Sequence, residues 1–162
     1  FGGFDRKFYA VDATSGAMKW PQPFVAGGWF WSQPLVSDGT IYVGSLDHKV
    51  YALDAATGRM KWAVPFEADD QIKASPVLDS GVLIVADVLG KVYGLSPATG
   101  ELVWAQPYDM GKPVMASLEA KGGVAYVVDR TGLLYGLEVK TGRSLWWVKT
   151  DRLGQDAVRI QP

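Results

Sequence analysis

The stretch VYALDAATGRMKW, Val50 to Trp62, decides the fold because it comes back. FYAVDATSGAMKW (Phe8 to Trp20), VYGLSPATGELVW (Val92 to Trp104) and LYGLEVKTGRSLW (Leu134 to Trp146) fall on it at a spacing of 42 residues, without insertion or deletion. Self-similarity at a fixed period of roughly 20–50 residues marks a stack of like units, none of which buries its apolar face alone. Four units built alike are expected.

Outward from that stretch, the signals inside each unit are those of strands. In QPLVSDGTIYVGS (Gln33 to Ser45), two β-forming runs flank Asp38-Gly39, a pair suited to a type I′ hairpin because both central residues need positive φ. Ser80-Gly81 and Gly122-Gly123 occupy the same place one and two periods later. The aromatic run, such as Val50 to Asp54, is a third strand, and Arg59 to Trp62 a fourth. The Thr-Gly between them makes the second turn, with Gly58 in a conformation that a Cβ opposes. Alternating apolar residues broken by Gly or Pro leave no amphipathic window of helical length. The expected fold is all-β, a β-propeller of four-stranded antiparallel blades. Blades are placed at about 1–24, 29–67, 72–108 and 114–150, with 156–162 as the first strand of a further or ring-closing blade. The evenly spaced Trp20, Trp62, Trp104 and Trp146, with Gly16, Gly58, Gly100 and Gly142, are read as structural: each ring covers a hairpin, each indole N–H finds a backbone acceptor, and the Ala or Gly after each periodic Tyr lets the ring come close.

Composition narrows the functions. Sixteen Lys and Arg against seventeen Asp and Glu give a net charge of −1, with no basic block to follow a phosphate backbone, so nucleic acid is not an expected partner. The absence of Cys excludes disulfides and thiolate metal sites. No run approaches the ~18 apolar residues of a membrane-spanning helix. The chain opens on Phe1 rather than Met, from which a preceding leader or larger N-terminal portion is expected.

The run Ala52-x-Asp54-x-x-Thr57-Gly58-x-x-x-Trp62 resembles the tryptophan-docking motif of quinoprotein (PQQ) repeats. Ala10, Asp12, Gly16 and Trp20 match it with Ser15 in the Thr position. The later units depart from it, with Gly94 and Gly136 for Ala, and Ser96 and Glu138 for Asp, while Thr99, Gly100 and Trp104, and Thr141, Gly142 and Trp146, are kept. The resemblance covers essentially the whole chain. It implies a propeller whose rings usually have seven or eight blades. Three assemblies follow: part of a larger ring, which the usual blade number favours, a self-closed four-bladed ring, or a ring shared with a second copy. The resemblance also implies a secreted, periplasmic or membrane-attached location. It does not imply a cofactor, since the family holds PQQ-dependent dehydrogenases, BamB-like assembly lipoproteins and extracellular sensor regions alike.

A dehydrogenase needs calcium held by oxygen ligands against the quinone, a carboxylate base and an aromatic floor. The family's alcohol dehydrogenases use a vicinal Cys pair over the quinone and an Asn ligand, and this chain has neither Cys nor Asn. No nucleophile elbow, phosphate loop, zinc helix motif or calcium loop occurs. Candidate residues are therefore sought where the repeat is least regular, in the loops from strand four to the next strand one and from strand two to strand three, which share one end of a propeller. They are Trp29, Trp31, Asp47, His48, Asp69, Asp70, Gln71, Lys73, Lys112 and Arg130. Trp29 and Trp31 give way to Gln71 and Lys73, then Pro113 and Met115, in later units. They serve as an aromatic binding face or as packing bulk at a blade interface or central channel, the second being favoured.

The reading from sequence is a non-catalytic PQQ-like propeller, a scaffold that binds other proteins through its loop face and has no cofactor. Its other partners are the remaining blades of a ring or a second copy. The alternatives are a fragment of a PQQ- and calcium-dependent dehydrogenase, with Trp29 or Trp31 stacked on the quinone and Asp47 as ligand or base, and a sensor binding a small ligand in its central funnel.

Overall fold

A computed structural model describes residues 1–114, 117–152 and 159–160. The described part is all-β apart from one 3₁₀ turn, Thr150–Arg152, and forms four antiparallel sheets in chain order. The first sheet holds β1 (Lys7–Phe8) and β2 (Phe24–Val25). In the second, β3 (Leu35–Ser37), β4 (Thr40–Gly44), β5 (Lys49–Asp54) and β6 (Phe66–Glu67) lie side by side in sequence order. The third repeats it with β7 (Val77–Asp79), β8 (Val82–Ala86), β9 (Lys91–Leu95) and β10 (Tyr108–Asp109). The fourth is β11 (Glu119–Lys121), β12 (Val124–Val128), β13 (Leu133–Glu138), β14 (Ser144–Lys149) and β15 (Arg159–Ile160). Most of the segment 156–162, expected to open a further blade, lies outside the described residues. Where it is described, Arg159 and Ile160 run along Trp147 and Trp146 as a fifth strand of the last sheet.

The inner hairpins turn where Asp-Gly, Ser-Gly and Gly-Gly stand, and both central residues of each have positive φ: Asp38 and Gly39, Ser80 and Gly81, Gly122 and Gly123. The outer strand departs from expectation. The run Arg59 to Trp62 contributes only an isolated bridge, Leu53 to Met60, and the laddered outer strand comes four residues after the Trp, pairing Phe66 with Val50. Proline accounts for the break. Pro23, Pro65 and Pro107 each stand three residues after a periodic Trp, and a residue without N–H cannot donate to a ladder. In the last unit Lys149 takes that place, and β14 is continuous through Trp146 except for a bulge beside Leu137.

The core lies between sheets. One apolar cluster joins Phe8, Trp20 and Phe30 to Ile41, Val43, Tyr51 and Leu53. A second joins Val50, Trp62 and Ile72 to Leu83, Val85, Tyr93 and Leu95. The third joins Val92, Trp104 and Val114 to Ala125, Val127, Tyr135 and Leu137. At every junction one periodic Trp crosses over. Trp20 Nε1 donates to Ala55 O at 3.0 Å, Trp62 Nε1 to Pro97 O at 3.0 Å and Trp104 Nε1 to Val139 O at 2.8 Å, always 35 residues ahead. Each ring lies over the turn glycine of the following sheet, namely Gly58, Gly100 or Gly142. The indole satisfies a turn carbonyl that would otherwise be orphaned in an apolar joint. On its own sheet, Trp104 lies where a Cβ on Gly94 would stand 2.3 Å from it.

Candidate functional site

The two kinds of irregular loop meet at one end of the sheets. Leu46 N donates to Trp29 O, Val88 N to Gln71 O and Arg130 N to Pro113 O, each at 2.9 Å, so every turn from strand two to strand three is tied to the connection leading into its sheet. Within those connections burial alternates from one residue to the next. Phe30, Ile72 and Val114 point into the junctions and are buried. Trp29 and Trp31, flanking Phe30, are 48% and 59% exposed. Within this chain Phe30 fills the junction between the first two sheets. Phe4, 64% exposed, joins them from the first sheet's turn, its ring centroid 5.5 Å from that of Trp29 and 5.7 Å from that of Trp31. Phe4 is missing from the candidates that the sequence offers; its signal is an aromatic at the period-equivalent of Leu46, Val88 and Arg130.

The carboxylates at this end hold the turns. Asp47 Oδ2 accepts from Gly27 N at 2.7 Å and from the Tyr51 hydroxyl at 2.6 Å, and Oδ1 accepts from Lys49 N at 3.3 Å. Asp5 takes the Tyr9 hydroxyl in the same way. In the third unit the carboxylate moves two residues back along the turn: buried Asp87 Oδ2 accepts from Tyr93 at 2.7 Å, and Oδ1 from Gly90 N and Lys91 N. Asp129, at the same place one period later, accepts at Oδ1 from Thr131 N, Thr131 Oγ1 and Leu133 N. Asp5 and Asp47 thus share one register, and Asp87 and Asp129 another. For Asp5, Asp47 and Asp87 this exchange is legible in the sequence once the periodic Tyr hydroxyl is known to need an acceptor.

Burial pushes the Asp47 carboxyl up, but the hydrogen bonds from Tyr51, Ser45, Gly27 and Lys49 outweigh it and hold the group below its ordinary 3.8. Tyr51 is pushed up, by burial first, then by its hydrogen bond to Asp47 and the Asp47 charge. A folded-state value below the unfolded one means that Asp47 stabilises the fold above pH 3.8 and loses that contribution as the pH falls through its folded value. Asp47→Asn should therefore lower stability by about 2 kcal/mol at pH 7, the scale of a charged hydrogen bond, and by progressively less as the pH falls below 3.8 towards and through the lowered folded value. Urea unfolding across a series of pH values from 7 down to 2 measures this; a loss that does not shrink with falling pH would refute the account.

The remaining candidates are distributed along the same end. His48, with φ of 70°, places Nε2 3.7 Å from Asp70 Oδ1, beyond hydrogen-bond range. Asp70 accepts from Gln71 N at 2.7 Å. Asp69 pairs with Lys91, and its N–H donates to the Tyr93 hydroxyl at 3.2 Å. Lys73 is half-buried, and Lys112 and Arg130 are exposed. The carbonyl of Lys112 lies so near Gly90 that a Cβ there would be 2.1 Å from it. Met115, third in the series with Trp31 and Lys73, lies outside the described residues. Among the described residues, no three of His, Cys, Asp or Glu gather as a cation site needs, and no helix is long and apolar enough to cross a membrane. Asp47, the candidate ligand or base of the dehydrogenase alternative, has both oxygens engaged by protein donors.

Comparison with known proteins places this arrangement. BamB from Moraxella catarrhalis is similar over 88% of this chain and 42% of its own, with 23% identity and a TM-score of 0.71. The computationally designed Ika8 protein superposes over 91% of this chain and 45% of its own, at 12% identity and a TM-score of 0.79. Quinohemoprotein alcohol dehydrogenase from Comamonas testosteroni matches over 74% of this chain and 21% of its own, at 21% identity and a TM-score of 0.64. The chain spans less than half the length of each of the three. These likenesses establish the fold. No curated protein matches the sequence significantly. The family model described as outer membrane protein assembly factor BamB matches residues 2–113 and 66–161, essentially the whole sequence, and the chain belongs to that family of PQQ-like repeat proteins.

Proposed function

We propose that this protein is a non-catalytic scaffold that binds other proteins through its loop-bearing end and serves outer-membrane protein assembly, as the family's description indicates. The observation that carries this reading is the exposed aromatic trio of Phe4, Trp29 and Trp31. Clustered aromatics provide a large apolar contact area at small entropic cost, as binding hot spots do. Turn carboxylates such as Asp47 and Asp87 are engaged by the backbone and by Tyr hydroxyls, so they anchor the platform rather than reach for a reacting atom. A periplasmic, membrane-associated location accords with this role.

The test is binding to the purified outer-membrane assembly machinery of the source cell. Serine at all three aromatic positions should weaken the complex at least tenfold while leaving the unfolding midpoint within about 0.5 kcal/mol, the usual range for surface substitutions. Undiminished binding by that variant would remove the trio from the interface.

The dehydrogenase neighbour favours a second reading, a share of a PQQ site. Its readout is direct: PQQ with Ca²⁺ should raise the melting temperature through mass action if the native chain binds them. A small-ligand sensor would show the same kind of shift with its own ligand and none with PQQ.

A further inference from the structure

The periodic tyrosines divide the four units three to one. In the first three, Tyr9 donates to Asp5 Oδ2, Tyr51 to Asp47 Oδ2 at 2.6 Å and Tyr93 to Asp87 Oδ2 at 2.7 Å. A backbone N–H completes two of these clasps: Gly27 N donates to Asp47 Oδ2 at 2.7 Å, and Asp69 N to the Tyr93 hydroxyl at 3.2 Å. The fourth unit departs. Asp129 is only 3% exposed, yet its Oδ2 has no hydrogen-bond partner among the described residues, Tyr135 included.

Two residues of that unit account for the difference. Thr131 stands where the other units have Asp5, Asp47 and Leu89. It donates both its N–H and its hydroxyl to Asp129 Oδ1 at 2.7 Å, and Leu133 N adds a third bond there at 3.1 Å. In the third unit Leu89 offers no side-chain donor, and the carboxylate of Asp87 reaches its tyrosine. Asp109 stands where the other units have Val25 and Glu67, and its Oδ1 takes the N–H of Gly111 at 2.7 Å. Gly111 is the period-equivalent of Gly27 and Asp69, whose amides complete the other clasps. Oδ1 is thus saturated, the amide is turned away, and Oδ2 is left buried. Tyr135 remains near, pushed up by burial first and then by the Asp129 charge. It packs in one apolar cluster with Val92, Val114 and Leu137, so the strands of the third and fourth sheets enclose this place.

A buried carboxylate oxygen without a donor bears the full desolvation penalty of a charged group, and ordered water or a small ion is what usually relieves it. We propose that Asp129 Oδ2 and the Tyr135 hydroxyl hold a water-sized hydrogen-bond donor between them, at a site that the other three units lack because tyrosine itself takes the oxygen. The ligand donates to the carboxylate and meets the hydroxyl, which both accepts and donates. Water and the ammonium ion share that size and that chemistry. Larger amines are excluded because Oδ2 is closed to solvent. Among the described residues no cation pairs with Asp129, and Lys112 acts on it only through its charge, so ammonium would gain an ion pair that water does not.

A crystal structure fine enough to order water should show one peak within hydrogen-bond distance of both Asp129 Oδ2 and the Tyr135 hydroxyl, and none between carboxylate and tyrosine in the second and third units. The melting temperature separates the two sources. Ammonium chloride should raise it above the value in tetramethylammonium chloride of equal ionic strength if the ligand is ammonium, through mass action. Thr131→Leu, which gives this turn the side chain found at Leu89, should let the carboxylate reach Tyr135 and abolish both the peak and that rise. With the peak present, no rise, or a rise equal in the two proteins, assigns the ligand as water. A direct hydrogen bond between Asp129 Oδ2 and Tyr135 in the unaltered protein overturns the proposal. So does an Oδ2 bonded to any other protein donor, or one with no peak beside it.

Discussion

Trp62→Ala is expected to lower the unfolding free energy by about 4 kcal/mol, the middle of the range for truncating a buried aromatic. The ring belongs to the second apolar cluster, stands 2.7 Å from a would-be Cβ on Gly100, and its Nε1 satisfies Pro97 O. Truncation leaves a cavity across the joint between two sheets and a turn carbonyl without its donor. Trp62→Phe keeps most of the apolar bulk and loses the indole N–H, so it should cost about 1.5 kcal/mol, the scale of one hydrogen bond with its orphaned acceptor. Urea unfolding of the two variants separates filling from hydrogen bonding. A loss below about 2 kcal/mol for the alanine variant would show that the joint does not depend on the ring.

The second large effect is at Gly100. Gly100→Ala should cost about 3 kcal/mol, because φ is +80° and the new methyl would stand 2.7 Å from Cε3 of Trp62. Left-handed backbone contributes about 1 kcal/mol for a residue with a Cβ, and overpacking against an immobile ring the remainder. Gly16→Ala is the control, with a similar φ of +71° and open space around the Cβ position. It should cost only about 1 kcal/mol. Equal losses at the two positions would mean that backbone strain alone selects glycine there.

Much of this architecture is legible in the sequence because its causes are local or periodic. Asp38-Gly39, Ser80-Gly81 and Gly122-Gly123 announce their hairpins through φ alone, and alternation places Val50 and Ala52 on one face of β5 before any neighbour is known. The outer strand is misplaced when Trp62 is taken to close it, although the missing N–H of Pro65, which moves the ladder to Phe66, is present in the sequence. The site is less legible. Trp29 and Trp31 carry the bulk of core residues, and only the fold shows that Phe30, between them, is the one buried in this chain.

The sequence by itself determined the repeat, the inner turns and the absence of thiol chemistry, since each depends on residue type and spacing along the chain. The tertiary structure decided what those elements meet. It set the carbonyl 35 residues ahead that receives each indole, engaged Asp47 with a tyrosine and two backbone amides, and left Phe1, Val11 and Gly16 open while their equivalents are covered. Burial and hydrogen-bond partnership are properties of the neighbouring sheet, so identical motifs acquire different roles according to whether a neighbour is there.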